Sequence, residues 1–155
     1  MIGVRFAKPN ELRVVKEVYR KGFKEWTVGD PSFYYFLKLI DKSRIKDKEI
    51  LLAFDGKKPV GLCILSFKTN VFSESAFLDI LVVIEEYRSK GVGKLLVKAF
   101  LKLAKAKKVR LAFLSTWQGN GKSIKFYKKM GFKRCGHIFE AVADRDDEIF
   151  FSRKP

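Results

Sequence analysis

The chain has only two cysteines, Cys63 and Cys135, with no CxxC spacing, and one histidine, His137, in 155 residues. That leaves neither a disulfide framework nor a zinc-type ligand set, so no metal is expected, and both thiols are expected to be reduced core residues of a cytoplasmic protein. No apolar run is long enough to span a bilayer, which argues against a membrane partner. The N-terminal segment meets a charge at Arg5 and has no apolar h-region or small-residue cleavage site, so export is not expected. Side-chain amides are scarce, limited to Asn10, Asn70, Gln118 and Asn120, and there is no internal repeat or low-complexity tract. Negative charge is the other shortage. Seventeen Asp and Glu face 33 Lys and Arg, for a net charge of +16 and a pI of about 9.9. Such an excess calls for an anionic ligand, a polyanion or an anionic surface. Because the lysines are spread over nearly every predicted element, nucleic-acid or ribosome contact stands as a secondary option.

What the chain does have is 47% hydrophobic residues and fifteen Phe, enough for the core of one domain over residues 1–155. Its organising stretch is residues 78–93, LDILVVIEEYRSKGVG. An apolar, β-branched run ends in a charged turn, and Ser89, Lys90, Gly91, Val92 and Gly93 then lead into an amphipathic segment. This reads as a strand feeding a glycine-containing loop at a helix N-terminus. There, unpaired backbone N–H groups and the helix dipole favour an anion, above all a phosphate.

Periodicity supplies the remaining elements. Residues 2–7 read as a strand, followed by a helix over 11–21 with Asn10 as N-cap and Gly22 closing it. Asp30-Pro31-Ser32 opens a second predicted helix carrying Phe33, Phe36, Leu37 and Ile40. The aromatic loop 23–29 between them is a candidate pocket wall. Residues 50–54 and 60–67 are strands joined by an Asp55-Gly56 hairpin turn, 68–75 a longer turn, and 76–84 the next strand. After Gly91, Val92, Leu95, Leu96, Ala99, Phe100, Leu103 and Ala104 form one helical face, with Lys94, Lys98, Lys102 and Lys105 opposite. A strand over 109–115 and a helix over 121–130 ending at Gly131 follow. Two antiparallel strands, 132–139 and 148–152, flank an acidic turn. The order β-α-α-β-β-β-α-β-α-β-β predicts an α/β fold with one mixed sheet flanked by helices.

Two phosphate-loop imitations fail. Gly121-Lys122-Ser123 lacks the Walker glycine, since Thr116 stands five positions before Gly121, and Gly91-Val92-Gly93 lacks the third glycine of a dinucleotide fingerprint, whose slot holds Leu96. What remains is a strand, Arg88-x-x-Gly91-x-Gly93, a helix, a strand, and Asn120 with Ser123 three residues on, Tyr127 seven on, and then Gly131-Phe132. Here the sequence resembles the GCN5-related N-acetyltransferases (GNAT), whose acetyl-CoA signature is Arg/Gln-x-x-Gly-x-Gly/Ala. Ser89 replaces the common Gly after the Arg, and Glu85 replaces the common Pro, but neither change removes a backbone donor.

The resemblance implies acetyl-CoA as co-substrate and an amine acceptor: a small amine, a polyamine, or a protein N-terminus or lysine. The N–H groups from Ser89 to Lys94 can cradle a pyrophosphate, with Arg88, Lys90 and Lys94 adding charge. By resemblance, the backbone of Leu81, Val82 and Val83 pairs with the pantetheine arm, an N–H near Val83 serves as oxyanion donor, and Asn120 and Ser123 complete the cofactor contacts. Acetyl transfer needs a neutral amine, a polarised carbonyl and a protonated leaving thiolate. Tyr127 is placed by resemblance for the last, because a phenol of pKa ~10 can donate to a thiolate whose conjugate acid lies at ~8.5. Asp79, the one carboxylate inside the strand, is the candidate base or acceptor-orienting residue, with Glu25, Asp30, Glu74 and Glu140 as rivals. His137 reads as structural. Direct attack in a ternary complex is preferred because no cysteine has a partner for covalent catalysis. The acceptor is expected between the aromatic region 23–36 and the loops 69–75 and 140–147. A non-catalytic CoA-binding sensor is the alternative, and a homodimer is compatible with either.

Overall fold

The computed structural model describes residues 1–23, 37–38, 40–47, 49–70, 73–142 and 146–155. Along these the elements run β1 (Ile2–Phe6), α1 (Leu12–Gly22), α2 (Lys42–Lys46), β2 (Ile50–Asp55), β3 (Lys58–Asn70) and β4 (Ser73–Val83). They continue as α3 (Val92–Ala106), β5 (Leu111–Trp117), α4 (Gly121–Lys129), β6 (Lys133–Val142) and β7 (Asp146–Arg153). The strands hydrogen-bond in the order β1-β2-β3-β4-β5-β7-β6. The β4–β5 pair is parallel, while β1–β2, β2–β3, β5–β7 and β6–β7 are antiparallel, so the mixed α/β sheet expected from the element order is present.

The chain divides into two compact units. One comprises residues 1–65 and 80–99, the other residues 66–79 and 100–155, so β3, β4 and α3 each run through both.

In the first unit, β1 and β2 pair from Ile2 opposite Asp55 to Phe6 opposite Leu51, and β2 turns into β3 at Gly56 with φ of +57°. The Asp-Gly signal is thus used as a turn, at a φ that favours glycine. The core holds Val15, Val18 and Tyr19 from α1 with Leu52, Leu62 and Ile64 from the strands. Helix α2 was not anticipated. Asp41 caps it, accepting from the Ser43 and Arg44 N–H groups, and these bonds hold its carboxyl below the ordinary range.

The second unit is built on the β5–β7–β6 ladders. β5 alternates strictly, burying Ala112, Leu114 and Thr116, and Phe113 pairs with Ser152, Leu114 with Phe151 and Thr116 with Ile149.

Three expectations need correction. The long turn over 68–75 is strand for most of its length, because β3 extends to Asn70 and β4 begins at Ser73. Polar residues there mask extended backbone that ladder pairing supports. The buried face of α3 also differs from the one predicted: Val97 and Leu101 are buried, whereas Leu95 is 39% exposed. Third, Cys63 is buried but Cys135 is exposed. Of the second predicted helix and the aromatic loop, only Phe23, Leu37, Lys38 and Ile40 fall within the described residues, and the rest of that expectation lies outside them. No helix among the described residues is long and apolar enough to cross a membrane.

Candidate active site

Strand β4 carries the first set of candidate residues. Its side chains alternate with period two: Leu78, Ile80 and Val82 are buried, while Asp79, Leu81 and Val83 lie half-buried on the opposite face. Its parallel ladder with β5 covers Ser75 to Leu78 opposite Leu111 to Leu114, and β4 continues to Val83. Packing around Val82 is tight. A Cβ on Gly22 would lie 2.1 Å from Val82 Cγ2, and a Cβ on Gly61 would lie 3.0 Å from the Val82 carbonyl oxygen.

A 3-10 turn, Glu85–Tyr87, follows the strand, and residues 88–91 then turn into α3. Ser89 has φ of +61° and Gly91 of +83°, so two left-handed residues alternate with ordinary ones just before the helix. Such alternation gathers backbone N–H groups into a concavity that suits an anion. The Gly91 carbonyl accepts the first helical hydrogen bond, from Leu95 N–H at 3.1 Å. The N–H groups of Val92, Gly93 and Lys94 lie in the first turn, where a helix offers them no internal acceptor.

The basic side chains of this loop are held in different ways. Arg88 Nη2 donates to the Gly22 carbonyl at 2.8 Å and its Nε to the Val83 carbonyl at 3.4 Å, joining the end of β4 to the end of α1. Lys90 Nζ stands 5.1 Å from the Tyr87 ring centroid, as does Lys58 Nζ, while the Tyr87 hydroxyl donates to Asp55 Oδ2 at 3.1 Å. Lys94 is exposed.

The second unit holds the remaining candidates. The Ser66 hydroxyl donates to Asp79 Oδ1 at 3.0 Å. Asn120 is the N-cap of α4: its Oδ1 accepts from Ser123 N–H at 3.2 Å, and its Nδ2 donates to the Thr116 hydroxyl at 3.2 Å. Tyr127 lies seven residues on, nearly two full turns, and so on the same side of the helix. It is 8% exposed, with its ring 5.2 Å from that of Phe126 and 6.2 Å from that of Phe132. His137 Nε2 lies 2.6 Å from Asp147 Oδ2, and Asp147 Oδ1 accepts from the Glu140 N–H at 2.9 Å. That backbone bond, then the histidine, holds the Asp147 carboxyl below the usual carboxylate range. Among the rival bases, Glu74 and Glu140 are exposed, and Glu25 and Asp30 lie outside the described residues. No group of three His, Cys, Asp or Glu is placed to hold a metal ion among the described residues.

The model of the acetyltransferase (GNAT) family matches residues 14–132, which include the 88–93 loop, Asn120 and Tyr127. The chain belongs to the GNAT family. Its fold is that of other GNAT proteins. The PaiA N-acetyltransferase of Thermoplasma acidophilum, solved with coenzyme A, superposes with a TM-score of 0.77 at 23% identity over 100% of this chain and 99% of that one. The ribosomal-protein-alanine N-acetyltransferase of Brucella melitensis gives a TM-score of 0.78 at 20% identity, covering 99% of each chain. A curated relative, the spermine/spermidine N(1)-acetyltransferase of Bacillus subtilis (strain 168), is 33% identical over 63 residues; these are 40% of this GNAT chain and 41% of that enzyme.

Four supporting residues were not singled out as site residues from sequence. The sequence marks Gly22 only as a helix stop, yet it makes room for Val82 and offers its carbonyl to Arg88. Gly61, Ser66 and Thr116 carried no signal beyond strand periodicity, and their roles depend on partners distant in sequence.

Proposed function

We propose that this GNAT chain is an acetyl-CoA-dependent N-acetyltransferase that passes the acetyl group to an amine by direct attack in a ternary complex. The observation that carries this reading is the loop between β4 and α3, where left-handed Ser89 and Gly91 lead into free first-turn N–H groups at a strand end. A pyrophosphate fits this loop on backbone donors alone, with Lys90 and Lys94 contributing charge. Bound there, acetyl-CoA supplies an activated thioester.

The chain's own residues do the rest. The backbone of β4 from Leu81 to Val83 aligns the pantetheine arm, and an N–H near Val83 polarises the carbonyl. By the family resemblance, Asn120 and Ser123 at the head of α4 are assigned the remaining cofactor contacts. Tyr127 donates the proton that the departing sulfur requires. Asp79, held by Ser66, orients the amine and receives its proton directly or through water. The protein acts as one domain over residues 1–155, in the cytoplasm and as a monomer or homodimer. The acceptor class favoured for first trial is a polyamine or another cationic amine, on the strength of the short stretch shared with the Bacillus subtilis enzyme.

A thiol-release assay across polyamines, aminoglycosides and N-terminal peptides tests the proposal. Tyr127→Phe should lower turnover ~100-fold while leaving acetyl-CoA binding intact. Acetyl-CoA binding without turnover on any amine would instead favour a CoA sensor.

A further inference from the structure

Between Glu86 and Glu140 the chain has no Asp or Glu, yet it carries fifteen Lys and Arg in those 53 residues. Helix α3 lies inside this acid-free stretch. Lys94, Lys98, Lys102 and Lys105 recur along it at steps of four, four and three residues, and all four are exposed. At 1.5 Å rise per residue they form a stripe about 16 Å long on one side of the helix. No described carboxylate pairs with any of them. Nothing in the cofactor loop needs the three lysines beyond Lys94. We infer that this face of α3 binds the phosphate backbone of duplex nucleic acid without reading its sequence.

The helix itself narrows the choice of polyanion. A membrane-surface helix needs an apolar side to insert, but α3 buries Val92, Leu96, Val97, Phe100, Leu101 and Ala104 in the protein, leaving Leu95 and Leu103 as its only large apolar side chains with part of their surface exposed. A single strand would look for aromatic platforms, and the one aromatic of α3, Phe100, is fully buried. A duplex asks for neither. It presents one charge per ~1.7 Å of its axis, so about ten phosphates lie along the length of the stripe, and lysines make such contacts as point charges. DNA and RNA share this chemistry, and the surface is independent of whether the chain transfers acetyl groups.

The test is fluorescence anisotropy of the full chain with labelled 20-base-pair RNA and DNA duplexes and a matched single strand, in saturating CoA so that phosphate cannot reach the cofactor loop. Duplex binding is expected at 50 mM NaCl, with log affinity falling against log salt at a slope of about −3 from Lys98, Lys102 and Lys105. Preference for the RNA or the DNA duplex identifies the source. The triple variant Lys98→Glu, Lys102→Glu, Lys105→Glu should weaken binding at least ~30-fold and make the slope shallower by about 2 to 3, with circular dichroism and CoA affinity unchanged. If that variant misfolds, the triple Gln variant is measured, with at least a ~10-fold loss expected. No duplex binding at low salt, a slope near zero, tighter binding to the single strand, or an unaffected variant overturns the inference. So does binding to phosphatidylserine vesicles in place of duplexes.

Discussion

Arg88 donates to the carbonyl of Gly22, 66 residues earlier, at 2.8 Å. The arginine opens the Arg-x-x-Gly-x-Gly motif, and the glycine ends α1 beside Val82. The side chain that the motif seemed to reserve for phosphate therefore also closes the last turn of a distant helix, supplying a donor to a C-terminal carbonyl. Arg88→Met should cost ~1 kcal/mol by chemical denaturation. CoA affinity should fall with it as the strand end loosens. Arg88→Lys should recover little of either, because a single ammonium cannot reproduce the forked contacts to Gly22 and Val83.

Gly22→Ala sets two effects against each other. Helix propensity favours alanine by up to ~1 kcal/mol, and by less at a helix end. Against this, the new Cβ would sit 2.1 Å from Val82 Cγ2, and overpacking of a buried site costs ~1–3 kcal/mol. The clash should win. Denaturant melts are expected to show net destabilisation, and a gain in stability would contradict the packing described.

Gly91→Ala isolates backbone conformation from sterics. Nothing lies within 4 Å of a Cβ at this position, but φ is +83°. The loss should be ~1 kcal/mol of stability, with CoA affinity reduced ~10-fold by calorimetry as the concavity rearranges.

Asp79 and Ser66 can be separated by kinetics. Asp79→Asn keeps the size of the group and should lower kcat/KM for an amine by ~10–100-fold while sparing CoA binding. Ser66→Ala should have a smaller effect of the same kind, and the double variant should be less than additive because the two groups touch at 3.0 Å.

Acid stability should report on Glu11. Hydrogen bonds from Arg5, at 2.7 and 2.8 Å, and from the Lys8 N–H hold its carboxyl at about 2, below the ordinary 4.5. A depressed folded-state value adds stability above pH 4.5, and this is lost as pH falls toward 2. Because Arg5 is 41% exposed, solvent screening limits the contribution to ~1–2 kcal/mol. Glu11→Gln should therefore be less stable than the parent at pH 7 and nearly equal to it at pH 2, as followed by thermal melts.

The elements with strong local patterns were legible in the sequence. The apolar, β-branched run of β4, the Asp55-Gly56 turn, the Gly91 entry to α3 and the Gly131 exit from α4 all rest on chemistry within a few residues. Helix α2 is too short for a hydrophobic period and announces itself only through Asp41 and Ser43. The pattern does not fix the buried face of α3 because Leu95, Val97 and Leu101 are equally apolar, and packing selects which are covered. In the candidate site, motif spacing located the turn at residues 88–91 and helix α4. The contacts of Arg88 with Gly22, Asp79 with Ser66 and Asn120 with Thr116 depend on side-chain placement that spacing does not encode.

The two thiols have opposite fates. Cys63 is fully buried, and desolvation pushes its thiol far above the ordinary range, so it stays protonated and out of reach. Cys135 faces solvent. An assay that counts released CoA with a disulfide reagent will therefore register one fast protein thiol per folded chain before any turnover, and a second only on unfolding. The same reagent thus serves as an internal standard of enzyme concentration and as a probe of folding, while Cys135→Ser provides a zero baseline.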